Sequence, residues 1–160
     1  TEMYFLCNRY KQLEDIEKKF LNKNHPVVAD YHIFKNMIFA RRTLNDRQLE
    51  KYEQIYQILT KDMRLPNVVI YITGSLDTLL ERIKKRGREF EQQIDPAYLE
   101  QLTKDYERFM EYFMKKYPEI PVVRINGDEM DFIRNQDDLQ TIIQKVEASL
   151  EKLMVEGASK

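Results

Sequence analysis

The sequence predicts an α/β fold, a parallel sheet with flanking helices, and three observations carry that prediction. Short apolar runs occupy residues 27–31, 67–72 and 120–125, the pattern of strands buried on both faces. Longer segments with apolar residues at helical spacing lie between them. Strands separated by helices pair in parallel through crossover connections.

The elements follow in chain order. Leu6, Tyr10, Leu13, Ile16 and Phe20 share one face of a helix that is already under way at the start of the chain. Residues 27–31 follow His25-Pro26 and read as a buried strand with Asp30 at its carboxyl end. Asn45 with Gln48 resembles a capping box opening a helix that carries Leu49, Tyr52, Ile55, Tyr56 and Leu59. Residues 67–72 form the next strand after Pro66, and Gly74-Ser75 turn it into a helix with Leu76, Leu79, Leu80 and Ile83 on one face. Gly87 is placed to end that helix in the left-handed conformation. Asp95-Pro96 starts a further helix, with Leu99, Leu102, Tyr106, Phe109 and Phe113 as its stripe. Residues 120–125 form a third, weaker strand, because Pro121 favours a strand start. Asn135 or Asp137 caps the last helix, whose inner face is Leu139, Ile142, Val146, Leu150 and Leu153. Residues 1–154 are thus read as one domain and 155–160 as a frayed tail.

The segment from Arg82 to Glu91 carries the clearest chemical signal. Arg82 and Arg86 sit one helical turn apart, and the chain reversal at Gly87 lets Arg88 swing toward the same point. Three converging guanidinium forks suit a polyanion such as a triphosphate, whose oxygens accept paired hydrogen bonds. The alternative is a solvated basic helix end opposing the helix dipole. Asp30, at a strand's carboxyl end, lies where ligands bind in open parallel sheets. It is a candidate to hold magnesium-bound phosphates or to accept from a substrate, against a plain turn-forming aspartate.

Composition narrows the function classes. A net charge of −1 and a pI near 6.2 give no bulk attraction to nucleic acid or to an anionic membrane. Hydrophobic residues make up 42% of the chain, yet mean hydropathy is −0.63 and no apolar run approaches bilayer length. The single Cys7 cannot form an internal disulfide, and no secretory signal pattern is present, so a cytoplasmic protein is expected. His25 and His32 lack metal-ligand spacing.

Four blocks, at residues 2–13, 29–40, 82–91 and 128–132, occur in the order found in the deoxynucleoside kinase family. The chain resembles that family over essentially its whole length, and the bacterial deoxyguanosine kinases within it most. The resemblance implies a three-layer, P-loop-kinase-like fold that transfers the γ-phosphate of ATP, with Mg2+, to the 5′-hydroxyl of a purine deoxynucleoside in nucleotide salvage. It also implies a homodimer, for which the first helix and the helix after Asn45 are candidates. Arg82, Arg86 and Arg88 map to the catalytic lid that grips the donor phosphates. Glu91 maps to the lid carboxylate that binds the sugar hydroxyl, its alternative being a salt bridge to Arg88. Asp131-Phe132 resembles the loop contacting the donor base, although Asp131 can instead cap the following turn.

At the nucleobase end, Glu2 stands where many relatives carry glutamine, Arg9 lies seven residues later on the same helical face, and Lys35 replaces an aspartate. Lysine and arginine donate to guanine O6, and a carboxylate accepts from its N1 and N2 hydrogens, so the set suits deoxyguanosine. An ordinary Glu2–Lys35 ion pair is the alternative. A deoxyadenosine or deoxycytidine kinase is the second enzymatic reading. Two departures from the family pattern stand out. Ala29-Asp30-Tyr31 replaces a Glu-Arg-Ser or Asp-Arg-Ser triplet, and no Gly-x-x-x-x-Gly-Lys-Ser/Thr phosphate loop occurs among the 160 residues. The family's N-terminal strand and phosphate loop are therefore expected to lie outside this sequence. The chain by itself is expected to be inactive, or to be a non-catalytic nucleotide-binding or dimerisation module if it is complete.

Overall fold

The computed structural model describes residues 1–91 and 93–158. They form two compact units, Thr1–Leu65 and Pro66–Lys160, a finer grouping than the single stretch read from the sequence.

In the first unit, α1 (Glu2–Lys19) carries Glu2 in its first turn and Lys18 and Lys19 in its last, matching the helix dipole. Glu14–Lys18 at 3.2 Å and Asp15–Lys19 at 3.6 Å add acid-before-base pairs one turn apart. A short 3-10 turn, Leu21–Lys23, follows and closes on Asn24, whose φ of 59° is a left-handed conformation that asparagine tolerates. The sequence reading assigns no element to residues 34–43, yet they form α2 (Phe34–Thr43). The helix α3 (Asp46–Thr60) opens with the expected capping box: the Gln48 N–H donates to Asn45 Oδ1 at 3.0 Å, and the Asn45 N–H donates to Gln48 Oε1 at 3.3 Å. The three helices pack around Leu6, Ile33, Met37, Ala40 and Tyr52. Burying one such large side chain contributes about 1.5–3 kcal/mol. Arg41–Glu53 at 3.1 Å joins α2 to α3, and Arg64 reaches back to Glu17 at 3.0 Å and Asn22 at 2.8 Å.

One expected strand does not form. Residues 27–31 are irregular and exposed, Val28 at 92%. A strand exists only through a ladder partner, and among the described residues the single pairing is made elsewhere. Asp30 consequently sits in an exposed turn leading into α2 rather than at a strand end.

The second unit holds that pairing. β1 (Val69–Thr73) and β2 (Val122–Asn126) run parallel, in register from Val69 opposite Val122 to Thr73 opposite Asn126. The crossover between them contains α4 (Leu76–Arg86), a 3-10 turn at Glu89–Glu91, and α5 (Pro96–Lys116). Ser75 caps α4 by accepting from the Thr78 N–H at 3.3 Å, and Gly87 ends it at φ 71°. Asp95 caps α5 by accepting from the Ala97 N–H at 2.9 Å, with Pro96 at the first helical position. Leu99, Met110 and Phe113 of α5 are buried, as are Val123 and Ile125 of β2. Glu107 of α5 ties the sheet together, accepting from the Tyr71 hydroxyl at 3.0 Å and from Arg124 at 3.0 Å. Asn135 opens α6 (Gln136–Ala158) by accepting from the Asp137 N–H at 3.0 Å. That helix continues past Met154, where a frayed tail was expected, because no breaker precedes Gly157. Residues 159–160 of the expected tail lie outside the described residues.

Candidate active site

The sequence-predicted site residues fall into two patches, one in each unit. In the second unit, the end of α4 and the 3-10 turn bring Arg86 and Arg88 together on Glu91. Arg86 approaches Glu91 Oε1 at 3.7 Å and Arg88 the same oxygen at 3.1 Å. Both arginines are about half exposed while the Glu91 side chain is 12% exposed, and its Oε2 is buried without a hydrogen-bond partner. The salt bridge anticipated for Glu91 is thus present. A guanidinium has five N–H donors, so this pairing occupies only part of each fork. The carboxylate holds two half-exposed cations side by side.

Arg82 does not join them. It donates to the Gly127 carbonyl at 2.7 Å. Gly127 follows β2, and its own N–H donates to Thr73 O at 2.8 Å. A Cβ at this position would lie 2.6 Å from Thr73 O and 2.9 Å from the Arg82 guanidinium, so only glycine lets the backbone come this close.

The next residue, Asp128, carries a role that the sequence reading did not assign. Both of its oxygens accept from the Ser75 N–H, at 3.0 and 2.9 Å, and Oδ1 lies 3.1 Å from the Ser75 hydroxyl. It therefore clasps the start of α4 to the end of β2. Hydrogen bonding from Thr78 and then from the Ser75 backbone holds its carboxyl below the usual carboxylate range, with Arg82 adding a smaller attraction. The signal in the sequence was the Ser75-x-x-Thr78 helix start, but its partner lies 53 residues away. Asp131 caps the following turn: Oδ1 accepts from the Ile133 and Arg134 N–H groups at 3.3 and 3.2 Å. Phe132 beside it is half-buried.

In the first unit, α1 presents Glu2 and Arg9, both half-buried, and the turn into α2 presents Asp30, Tyr31, His32 and Lys35. The Arg9 Cζ lies 3.5 Å from the centroid of the Tyr31 ring, and the Lys35 Nζ lies 5.0 Å from it and 5.5 Å from that of Phe39. Burial lowers the Arg9 pKa from its ordinary value, and the Asp30 charge opposes that shift. His32 stacks on Phe34 with centroids 4.2 Å apart, and its buried Nδ1 has no hydrogen-bond partner. Burial first and the Arg9 charge second push its pKa down to about 4, so His32 is neutral at neutral pH. Asn36 is buried, and the Tyr52 hydroxyl, also buried, has no partner in hydrogen-bond geometry. Burial and then the nearby Glu2 carboxylate push Tyr52 up to about 12, while Asn36 offsets part of the rise. Sequence reasoning singled out Glu2, Arg9, Asp30 and Lys35 here, named Tyr31 only within the altered triplet and His32 only as lacking metal-ligand spacing, and passed over Asn36, which has no spacing signature of its own.

Asp30 is the candidate ligand for magnesium. Among the described residues no group of three acidic, histidine or cysteine side chains could hold a metal. A single exposed carboxylate fits the way magnesium binds with nucleotides, through one or two carboxylates, several waters and the phosphates themselves.

Residues 1–151 match the family model described as deoxynucleoside kinase. The chain is 54% identical over 145 residues to a deoxyguanosine kinase of Bacillus subtilis, covering 91% of this chain and 70% of that one. It is 32% identical to a deoxyadenosine kinase of Lactobacillus acidophilus, covering 93% and 74%. Among solved structures it is similar to deoxyadenosine kinase from M. mycoides with bound dCTP, at a TM-score of 0.71 and 25% identity, covering 92% of this chain and 71% of that one.

Proposed function

This chain belongs to the deoxynucleoside kinase family, and from that premise we propose that it serves deoxyguanosine, moving the γ-phosphate of ATP to the nucleoside 5′-hydroxyl. The observation that carries the substrate is the 54% identity to a deoxyguanosine kinase, against 32% to a deoxyadenosine kinase. The charges of the first unit support the same choice. Arg9 and Lys35 offer only donors and Glu2 only acceptors, which suits guanine's O6 and its N1 and N2 hydrogens.

The chain's own residues divide the work. Arg86 and Arg88, gathered by Glu91, meet the donor phosphates with the donors that Glu91 leaves over. Their charge is worth most where negative charge builds during transfer. Arg82, anchored on Gly127, supports the same helix end and contributes positive potential to it. Glu91 accepts from the sugar hydroxyl. Asp30 holds the phosphate-bound magnesium or accepts from the nucleoside. Asp131 and Phe132 border the donor base. Magnesium, when bound, neutralises phosphate charge.

The protein acts in the cytoplasm as a homodimer in this reading. The exposed apolar side chains of α1 and α3, Tyr4, Phe5 and Ile58, are consistent with a partner there. No helix among the described residues is long and apolar enough to cross a membrane.

The charge pattern gives the test. In the natural full-length protein, Glu2→Gln with Lys35→Asp is expected to move preference from deoxyguanosine toward deoxyadenosine or deoxycytidine by at least about tenfold in relative kcat/KM, since each unmatched buried group costs about 1–3 kcal/mol. Both single variants are measured alongside, because either change alone strands a charge. Equal losses on all three nucleosides would reduce these residues to scaffolding.

A further inference from the structure

Tyr31 has no part in the scheme above, yet two of its cations are arranged about this one ring. The Arg9 Cζ stands 3.5 Å from the ring centroid. At that separation an edge-on guanidinium would drive a nitrogen into the ring, so the guanidinium lies against the ring face. A stacked guanidinium keeps its N–H donors in its own plane, directed past the ring edge and available for a forked contact. The Lys35 Nζ, 5.0 Å from the same centroid, adds a second donor-only cation within reach of the ring's negative face. His32 stays uncharged beside them, so it adds no third positive charge, and Asp30 favours the Arg9 cation.

Two donor-only groups held together suit a base edge with two adjacent acceptors. Guanine presents O6 and N7 in this way, whereas adenine puts an amino donor beside its N7. We propose that Tyr31 is a positioning residue that determines base specificity: it fixes Arg9 by stacking, with Lys35 alongside, as a pair of donors selecting purines that carry oxygen at C6. The inference rests on the base-end reading given under Proposed function. It goes further in naming the ring that orients the cations and the purine edge that they read.

Steady-state kinetics of the natural full-length protein, with deoxyguanosine, deoxyinosine and deoxyadenosine, test it. Deoxyinosine keeps O6 and N7 but lacks the 2-amino group, so it isolates the proposed edge. Tyr31→Leu is expected to raise KM about tenfold for deoxyguanosine and deoxyinosine alike, with kcat changed less than about twofold and deoxyadenosine unaffected. Tyr31→Phe, which retains the ring face, is expected to stay within about twofold of the parent on all three. Tyr31 is 41% exposed, and Tyr31→Met provides a second ring-free variant should the leucine variant melt early. If Arg9→Ala raises the deoxyguanosine KM while neither ring-free variant does, the role of Tyr31 is overturned and the base-end reading survives. A uniform loss on all three nucleosides also overturns it. If Arg9→Ala has no effect either, the base-end reading falls and this inference falls with it.

Discussion

Glu91 and its two arginines form an ion-pair cluster that the proposed function turns toward the donor phosphates. A half-exposed arginine paired with a carboxylate on the surface contributes little to stability, so Arg86 can be removed without unfolding the protein. Its proposed value lies in the reaction. In the full-length enzyme Arg86→Ala is expected to lower kcat by about 10²- to 10³-fold while changing the nucleoside KM far less, because its fork meets charge that is greatest in the transition state. Steady-state rates checked against an unchanged melting temperature give the answer. An unaltered kcat would leave Arg86 as a solvated helix end. Arg82 belongs to a different class: its 2.7 Å bond to the Gly127 carbonyl makes it part of the scaffold.

The elements that position these side chains depend on ties between distant segments, of which Asp128 is the clearest. Its carboxylate anchors the start of α4 to the end of β2. A carboxyl group whose folded pKa is depressed stabilises the fold above its unfolded value near 4 and loses that contribution as pH falls through the folded value. Asp128→Asn is therefore expected to be less stable than the parent at pH 7. The gap should narrow as pH falls below about 4, which denaturant melts across that range measure. A gap independent of pH would mean that the charge is not what holds the tie. The same distinction between local and distant cause decides what was legible in the sequence. The Asn45–Gln48 capping box, the Asp95-Pro96 start and the left-handed Gly87 are properties of a few adjacent residues, and all three form as expected. Residues 27–31 have strand composition but no described ladder partner, and pairing cannot be read from one segment alone. Neither could the turn of Arg82 to Gly127, which depends on a missing Cβ 45 residues away.

At the scale of the whole molecule, the candidate residues divide between the two units. The first unit gathers the residues assigned to the nucleobase and the second those assigned to the donor phosphates. Residue types and their order revealed the family, because four blocks each carry a charge pattern that chemistry constrains. What the residue order could not give was the company each charge keeps: Arg9 stacked on Tyr31, Arg86 and Arg88 sharing Glu91, His32 held neutral by burial. The central claim is that this company favours guanine. Its most direct measurement supplies the natural full-length protein with ATP, magnesium and an equimolar mixture of deoxyguanosine, deoxyadenosine and deoxycytidine, and quantifies the three 5′-monophosphates at low conversion. dGMP is expected in at least about tenfold excess over either of the others, the discrimination that follows when a wrong base leaves half-buried charges unpaired. Equal amounts of dGMP and dAMP, or an excess of either dAMP or dCMP, would contradict it.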